Sequence, residues 1–358
     1  MNKFKSINSN ATQLNSANQF SVAPMMDWTD KHCRYFHRLM TKNAWLYSEM
    51  VTTGALIYGN DLPRFLGFNE QENPVVLQLG GSEPKEMATC AKLGAEYGYD
   101  EININVGCPS DRVQNNMIGA CLMGHPKRVA ENVSAIKQVV DVPVTVKSRI
   151  GIDHQENYSV LHEFVSGLVD AGVDGVIIHA RKAWLEGLSP KENRDIPPLR
   201  YDWVHQIKAD FPKLAISING GIKSHKDAAL HLTEYQDLPA VDGVMLGRSA
   251  YEQPFLLSEV DQLYYQDSSL MITRDQVVDQ MLPYIDQHLI GGGKLIQVTR
   301  HMLGLFHGLP GGRMWRRHLS QNAFKKTAGV EVVLQAHEMV KNEIQRMHEQ
   351  NLLKETES

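Results

Sequence analysis

The sequence contains few cysteines and no long hydrophobic run. Its 358 residues include four cysteines, none in a Cys-x-x-Cys pair, which argues against a zinc site and favours a reducing compartment. Nowhere do about 18 uninterrupted apolar residues occur, the length that spans a membrane. Residues 1–19 are polar and rich in Asn and Ser, without the apolar core of a signal peptide. We therefore expect a cytoplasmic protein without a metal site or membrane span, in which residues 1–19 form a disordered tail.

The chain also lacks net positive charge. Its formal net charge of -5 means that a polyanionic partner would have to be bound by a local basic region. Residues 287–330 are such a region, because they contain no Asp or Glu. Their basic residues are Lys294, Arg300, Arg313, Arg316, Arg317, Lys325 and Lys326. The one-sided charge predicts a surface that neutralises nucleic-acid phosphates.

Eight short apolar or β-branched runs, bounded by Gly, Pro or Asp, predict strands. They begin at Phe20, Trp45, Pro74, Asp100, Val142, Asp174, Leu214 and Asp242. Helix-like segments separate the runs, and eight such alternations are typical of an α/β protein with a (β/α)8 TIM barrel. The alternative is an open doubly wound sheet, which often begins with a G-x-G-x-x-G loop that is absent here. We predict a barrel over residues 20–257 and an all-helical domain over residues 258–350.

Polar residues and glycines gather at the ends of the predicted strands, where a barrel carries its functional face. The glycines at the last two strand ends suit a phosphate, because glycine permits close backbone approach and a helix N-terminus supplies N–H groups. Lys147 and Gln78 suit the edges of a flavin ring. We therefore predict an FMN site. Its predicted residues are Pro24, Met25, Met26, Gln78, Lys147, His179, Asn219, Gly220, Gly221, Gly247 and Arg248.

Seven segments in order resemble the motif series of the tRNA-dihydrouridine synthases. They are "APMMDWTD", "QLGG", "NINVGCPSDRV", "VKSRIG", "IIHARKAWLEGLSPKENR", "SINGGI" and "GVMLGRSAY". The segments "RKAWLEGLSPKENR" and "HMLGLFHGLPGGRMWRRHLS" resemble the A-type branch in particular. The resemblance covers roughly Phe20 to Lys326. Two departures from it are the N-terminal tail and an extended stretch at Thr233–Ala240, whose roles the sequence does not indicate.

The resemblance implies reduction of the C5–C6 double bond of uridine in tRNA, with NADPH reducing the bound FMN. Hydride would pass from flavin N5 to C6, and the resemblance assigns the proton for C5 to Cys108. A thiol with a pKa of about 8.5 is mostly protonated at neutral pH and can act as an acid. For Cys33, Cys90 and Cys121 we expect ordinary packing instead.

The resemblance also implies that the target uridines are positions 20 and 20a of the D-loop, flipped from their stack into the barrel mouth. The predicted tRNA contacts are Asn105, Arg149, Arg181, Lys191, Arg194, Arg313 and Arg316. We expect a monomer. Two other functions stay open. A small-molecule FMN oxidoreductase of the dihydroorotate dehydrogenase or enoate reductase type leaves the basic region unexplained, and an RNA-binding module or RNA chaperone leaves Cys108, Lys147 and His179 unexplained.

Overall fold

The computed structural model describes residues 19–110, 117–155 and 157–356. Its strands are β1 Phe20–Val22, β2 Trp45–Thr52, β3 Val75–Gly80, β4 Glu101–Val106, β5 Val144–Arg149, β6 Gly175–His179, β7 Ala215–Asn219 and β8 Gly243–Leu246. Neighbouring strands are parallel, and β1 pairs with β8 to close the barrel in chain order. The predicted barrel is confirmed and the open sheet is excluded. The predicted tail, apart from residue 19, lies outside the described residues.

The helices of the first part of the chain are α1 Lys31–Arg38, α2 Thr53–Ile57, α3 Leu62–Leu66, α4 Pro84–Glu96, α5 Pro126–Lys137, α6 Tyr158–Asp170, α7 Tyr201–Asp210 and α8 His225–Ala229. After β8 follow α9 Arg248–Glu252, α10 Val260–Tyr265, α11 Arg274–Ile290, α12 Leu295–Met302, α13 Gly312–Asn322 and α14 Glu331–Thr356. The described chain after β8 contains helices and no strand, so the predicted helical region is confirmed. None of the described helices is long and apolar enough to cross a membrane.

Alternate residues of each strand point into the barrel, because successive side chains of a strand face opposite ways. An apolar cluster fills part of the interior. It consists of four strand residues and Ala23, which follows β1: Ala23, Tyr47, Val76, Ile177 and Met245. The neighbouring inward positions of β4 and β5 carry polar side chains instead. Of these, Glu101 and Asn103 are fully buried and Thr145 is 1% exposed.

The contacts divide the chain into two compact units. The barrel unit comprises the described residues up to Lys31 together with Asn43–Gly247, and the helical unit comprises His32–Lys42 together with the described residues from Arg248 onwards. The contact boundary therefore lies before the boundary at residue 257 predicted from sequence. The sequence also gave no sign that most of α1 belongs with the helices at the far end of the chain.

Polar and aromatic contacts hold α1 and its following turn in the helical unit. Thr41 Oγ1 donates to Asp261 Oδ1 at 2.6 Å, and the backbone N–H of Lys42 donates to Asp261 Oδ2 at 2.6 Å. Tyr35 stacks on Tyr284 with ring centroids 3.9 Å apart. These partners lie more than 200 residues apart in sequence, so local sequence patterns do not reveal them.

Candidate active site

Cys108 lies in the turn that follows β4, where side-chain and backbone contacts fix the backbone. The Oδ1 atom of Asn105 accepts from the backbone N–H groups of Gly107 and Cys108, each at 3.1 Å. The carbonyl of Cys108 accepts from the N–H of Ala120 at 2.8 Å. A Cβ on Gly119, whose φ is +83°, would come within 2.4 Å of that carbonyl, so only glycine fits there. Cys108 is the predicted acid, and the structure leaves it partly exposed.

The four cysteines differ in their surroundings. Cys33 and Cys90 are fully buried, and burial raises the pKa of Cys90 to about 12. Cys121 is partly exposed, and its Sγ lies 3.4 Å from the carbonyl oxygen of Ile118. Burial also raises the pKa of Cys121. Cys108 is therefore the partly exposed cysteine that lies directly at a strand end of the barrel mouth.

Lys147 lies near the end of β5 and shares its surroundings with another predicted residue. Its Nζ donates to Asn219 Oδ1 at 3.1 Å, and Asn219 Nδ2 donates to the carbonyl of Met245 at 2.8 Å. Burial lowers the pKa of Lys147 to about 7, and the positive charge of Arg149 lowers it further, while Cys108 acts in the opposite direction. An electron-rich or anionic ligand beside this amine would restore its charged form.

His179 and the glycine turn after β7 lie together. A Cβ on Gly220 would come within 2.4 Å of His179 Cδ2, and the φ of Gly220 is +108°. Gly221, with φ +74°, has the same backbone preference, and a Cβ there would approach Tyr201 Oη at 2.7 Å. Burial, followed by the charges of nearby basic residues, lowers the pKa of His179 well below its usual value. The imidazole is therefore neutral.

The ends of β8 and β1 also meet at this mouth. A Cβ on Gly247 would lie 3.8 Å from Ala23 Cβ and 4.0 Å from Met25 Sδ, which are ordinary van der Waals contacts with the end of β1. Pro24 and Met25 are partly exposed, and Met26 is 54% exposed. Arg248, the remaining predicted phosphate ligand, begins α9 and is assigned by its contacts to the helical unit.

Gln78 is almost fully buried, and its amide is largely committed to protein partners. Its Oε1 accepts from Asn105 Nδ2 at 2.7 Å, and its Nε2 donates to Asn103 Oδ1 at 2.8 Å. One of the two hydrogens on Nε2 is left after these bonds. Asn103 was not among the predicted site residues, although the alternation in "NIN" places it on the same strand face as Asn105.

Arg149 is 3% exposed and binds backbone carbonyls on both sides of the mouth. Its Nε donates to Gly107 O at 3.1 Å, and its Nη1 donates to Asn193 O at 2.9 Å and Lys182 O at 3.3 Å. The guanidinium thus joins the turn before Cys108 to the loop after β6. Its predicted contact with tRNA remains a prediction.

The loop after β6 is pinned by a residue that the sequence did not single out. Asn193 is fully buried, accepts from the N–H of Trp184 at 2.8 Å, and donates to the carbonyls of Trp184 and Leu188. Lys191 and Arg194 on either side of it are exposed. Arg181, at the start of the loop, donates from Nη1 to the carbonyl of Pro197. The predicted basic residues are thus presented on a fixed loop.

Arg313 and Arg316 are exposed on α13 of the helical unit. Trp315, between them in sequence, is fully buried, with its indole N–H donating to Met302 O at 2.9 Å and its ring packed against Phe306. Trp315 is therefore a core residue and cannot stack on a ligand, while the two arginines are exposed. No carboxylate among the described residues pairs with either arginine.

The barrel mouth presents a donor set that fits FMN. A glycine turn in left-handed conformation can approach a phosphate, while a lysine, an imidazole and amide N–H groups suit the heteroatoms of a flavin ring. Among the described residues, no group of three or more His, Cys, Asp or Glu is placed to hold a metal ion.

Comparison with known proteins agrees with this geometry. The family model described as dihydrouridine synthase matches residues 21–345. The chain belongs to the dihydrouridine synthase family. The tRNA-dihydrouridine(20/20a) synthase of Shewanella oneidensis is 57% identical over 325 residues, which cover 91% of this chain and 95% of the relative. The enzyme of the same name from Escherichia coli K12 is 54% identical over 330 residues, covering 92% and 93%. The family and enzyme class predicted from sequence are confirmed.

Among solved structures, a 2-naphthoyl-CoA reductase in complex with 2-naphthoyl-CoA superposes with a TM-score of 0.52 at 12% identity, covering 68% of this chain and 50% of that one. At this identity the likeness concerns the fold alone, and it agrees with the barrel.

Proposed function

We propose that the protein is an FMN-dependent, NADPH-driven tRNA-dihydrouridine synthase that reduces uridines 20 and 20a of the D-loop, acting as a cytoplasmic monomer. The observation that carries the proposal is the placement of Cys108. Its backbone is held by Asn105 at the end of β4, and it lies near Lys147 and Arg149 at the same mouth. Relatives at 54–57% identity are named tRNA-dihydrouridine(20/20a) synthases, which supports this reaction and these target positions.

The barrel residues would hold FMN as follows. The backbone of Gly220, Gly221 and Gly247 would approach the phosphate closely, and Lys147 and Gln78 would offer donors to the ring. When bound, FMN supplies hydride to the uracil ring after reduction by NADPH. His179 is neutral and packs against Gly220, so it supplies an N–H donor without adding a second charge. The role of Arg248 in phosphate binding remains a prediction.

Cys108 supplies the proton that C5 of the uracil requires. Its thiol is partly exposed and its backbone is fixed, so the S–H can be presented to a ring that enters the mouth. Proton transfer by a positioned acid contributes about 10²–10⁴ to a rate. Asn105 lies three residues earlier and offers an amide N–H to a carbonyl of the base.

The predicted helical domain over residues 258–350 would bind tRNA through its basic region. Arg313 and Arg316 project from α13 into solvent, which suits contacts with phosphates. In the barrel unit, Lys191 and Arg194 lie on the pinned loop after β6 and are the second proposed contact. Removing a uridine from its stack costs a few kcal/mol, which these phosphate contacts would offset.

The test is an anaerobic flavin titration. The purified protein is reduced with NADPH, tRNA that lacks dihydrouridine is added, and flavin absorbance is followed. We expect bound FMN and its rapid reoxidation by tRNA. Flavin that stays reduced with tRNA but is reoxidised by small enones or by orotate would instead indicate a small-molecule oxidoreductase. A protein without flavin would contradict the proposal.

A further inference from the structure

A chain of side-chain hydrogen bonds crosses the barrel interior beneath Cys108. Asn105 Nδ2 donates to Gln78 Oε1 at 2.7 Å, Gln78 Nε2 to Asn103 Oδ1 at 2.8 Å, and Asn103 Nδ2 to Thr145 Oγ1 at 2.8 Å. Thr145 Oγ1 in turn donates to Glu101 Oε1. We call these five residues the interior chain. They come from three neighbouring strands, and each is 9% exposed or less.

The two ends of the interior chain have opposite hydrogen-bonding character. At the mouth, Asn105 Oδ1 accepts from the backbone N–H groups of Gly107 and Cys108, which can only donate. At the far end, Glu101 Oε1 accepts from Thr145, and also from Tyr47 Oη at 3.1 Å. A carboxyl oxygen that carries no proton can accept hydrogen bonds but cannot donate them.

This arrangement favours one orientation of each amide between the ends. If the Asn103 amide were reversed, its oxygen would compete with Glu101 for the one hydroxyl hydrogen of Thr145. Glu101 would then keep the hydrogen bond from Tyr47 but lose the one from Thr145. The reversed orientation would therefore have one hydrogen bond fewer in the interior chain. The same reasoning applies to Gln78 and then to Asn105. The carboxyl group of Glu101 and the two backbone N–H groups therefore favour the same orientation of Asn105, with its oxygen towards Cys108.

We propose that Glu101 and Thr145 are positioning residues, which act through the interior chain to keep the Asn105 oxygen on the Gly107 and Cys108 N–H groups. The oxygen of Asn105 accepts two hydrogen bonds and one of its amide hydrogens binds Gln78, so its second amide hydrogen is its remaining hydrogen-bonding group. The mouth thus offers donors to a ligand and favours carbonyl groups, such as O4 of uracil, over the exocyclic amine of cytosine. The second statement rests on the proposed function, whereas the positioning of Cys108 can be measured without it.

The test breaks the interior chain at Thr145. Thr145→Val keeps the shape of the side chain and removes both hydrogen bonds, whereas Thr145→Ser keeps the hydroxyl. Two quantities are measured: the rate at which iodoacetamide modifies Cys108, mapped by peptide mass spectrometry, and kcat and KM for tRNA. For Thr145→Val we expect Cys108 modification to change at least threefold and kcat to fall at least tenfold with KM within twofold. Thr145→Ser restores both to within twofold of wild type.

Tyr47→Phe is the matched control, since it removes a hydroxyl bound to the same Glu101 oxygen but outside the interior chain. We expect wild-type Cys108 reactivity and kcat. Equal losses in Tyr47→Phe and Thr145→Val, or no loss in either, would overturn the proposal. If Thr145→Val does not fold, Asn103→Asp removes the donor to Thr145 at nearly constant volume and is expected to act in the same way. A wild-type protein that is inactive on tRNA would contradict the proposed function, while the Cys108 modification rates would still decide the positioning proposal.

Discussion

The barrel encloses Glu101, Asn103 and Gln78, each at most 1% exposed and each hydrogen-bonded to other side chains. The helical unit instead buries Trp315 in an apolar core and carries Arg313 and Arg316 in solvent. The two units therefore use polar groups in different ways. Proton and hydride chemistry requires donors held in fixed geometry, whereas attraction to phosphates requires only exposed positive charge. Substitutions in the two units should accordingly affect different measurements.

The largest expected effect is that of Cys108→Ala. We expect dihydrouridine formation in a single turnover to slow by about 100-fold or more, since the proposed proton donor is lost. Reduction of the bound flavin by NADPH should stay within twofold of wild type, because that step does not use the thiol. Cys121→Ser is the control and should retain both rates. Equal effects of the two substitutions would contradict the assignment of the acid.

Gly220→Ala should weaken FMN binding by roughly tenfold to a hundredfold, since its backbone conformation is strained for alanine and its Cβ would meet His179. Flavin fluorescence during titration of the flavin-free protein measures the dissociation constant. Gly172→Ala is matched, because Gly172 has φ +85° but nothing within 4 Å of the added Cβ. The Gly172→Ala substitution should lower the stability of the fold without changing the affinity for FMN. An unchanged FMN affinity in Gly220→Ala would show that the glycine turn does not take part in FMN binding.

In the helical unit, the double substitution of Arg313 and Arg316 by Gln should lower tRNA affinity by about tenfold and reduce the salt slope of log K by about 2. Single-turnover rates at saturating tRNA should be unchanged. Neutralising Lys92 and Lys213, which are exposed on the barrel unit, serves as the control for net charge. If the control pair weakens tRNA binding equally, the basic region is not a specific surface.

The last expected effect concerns stability and not activity or binding. Burial raises the pKa of Glu101 to about 7, hydrogen bonds from Thr145 and Tyr47 oppose the rise, and Asp174 and Asp100 add to it. Because this value lies above the ordinary carboxyl pKa of about 4.3, protonation stabilises the fold. That stability is complete below the unfolded pKa and is lost as the pH rises through about 7.

Relative to Glu101→Gln, the free energy of unfolding of the wild type should therefore fall between pH 5 and pH 8, by about 3 kcal/mol at most. Urea denaturation at the two pH values gives this difference. Parallel pH dependence in the two proteins would show that Glu101 does not titrate in this range.

The sequence predicted the barrel because its strands are short, apolar and separated by Gly, Pro and Asp. It also predicted that Cys108, Lys147 and His179 gather at one mouth, since the strand ends of a barrel meet there. It did not predict that α1 joins the helical unit, because Thr41 and Asp261 are distant in the chain. Three side-chain arrangements also depended on tertiary packing: the direction of Arg149, the burial of Trp315 and the interior chain. Periodicity identifies the face of a strand but not the partner of a polar group.

The most direct test of the account is the position of the product after one anaerobic turnover. Protein carrying NADPH-reduced flavin is mixed with tRNA lacking dihydrouridine, and the tRNA is digested and mapped by mass spectrometry for wild type and Cys108→Ala. The account predicts dihydrouridine at positions 20 and 20a with the wild type and almost none with Cys108→Ala. Dihydrouridine formed equally by both proteins, or by neither, would contradict it.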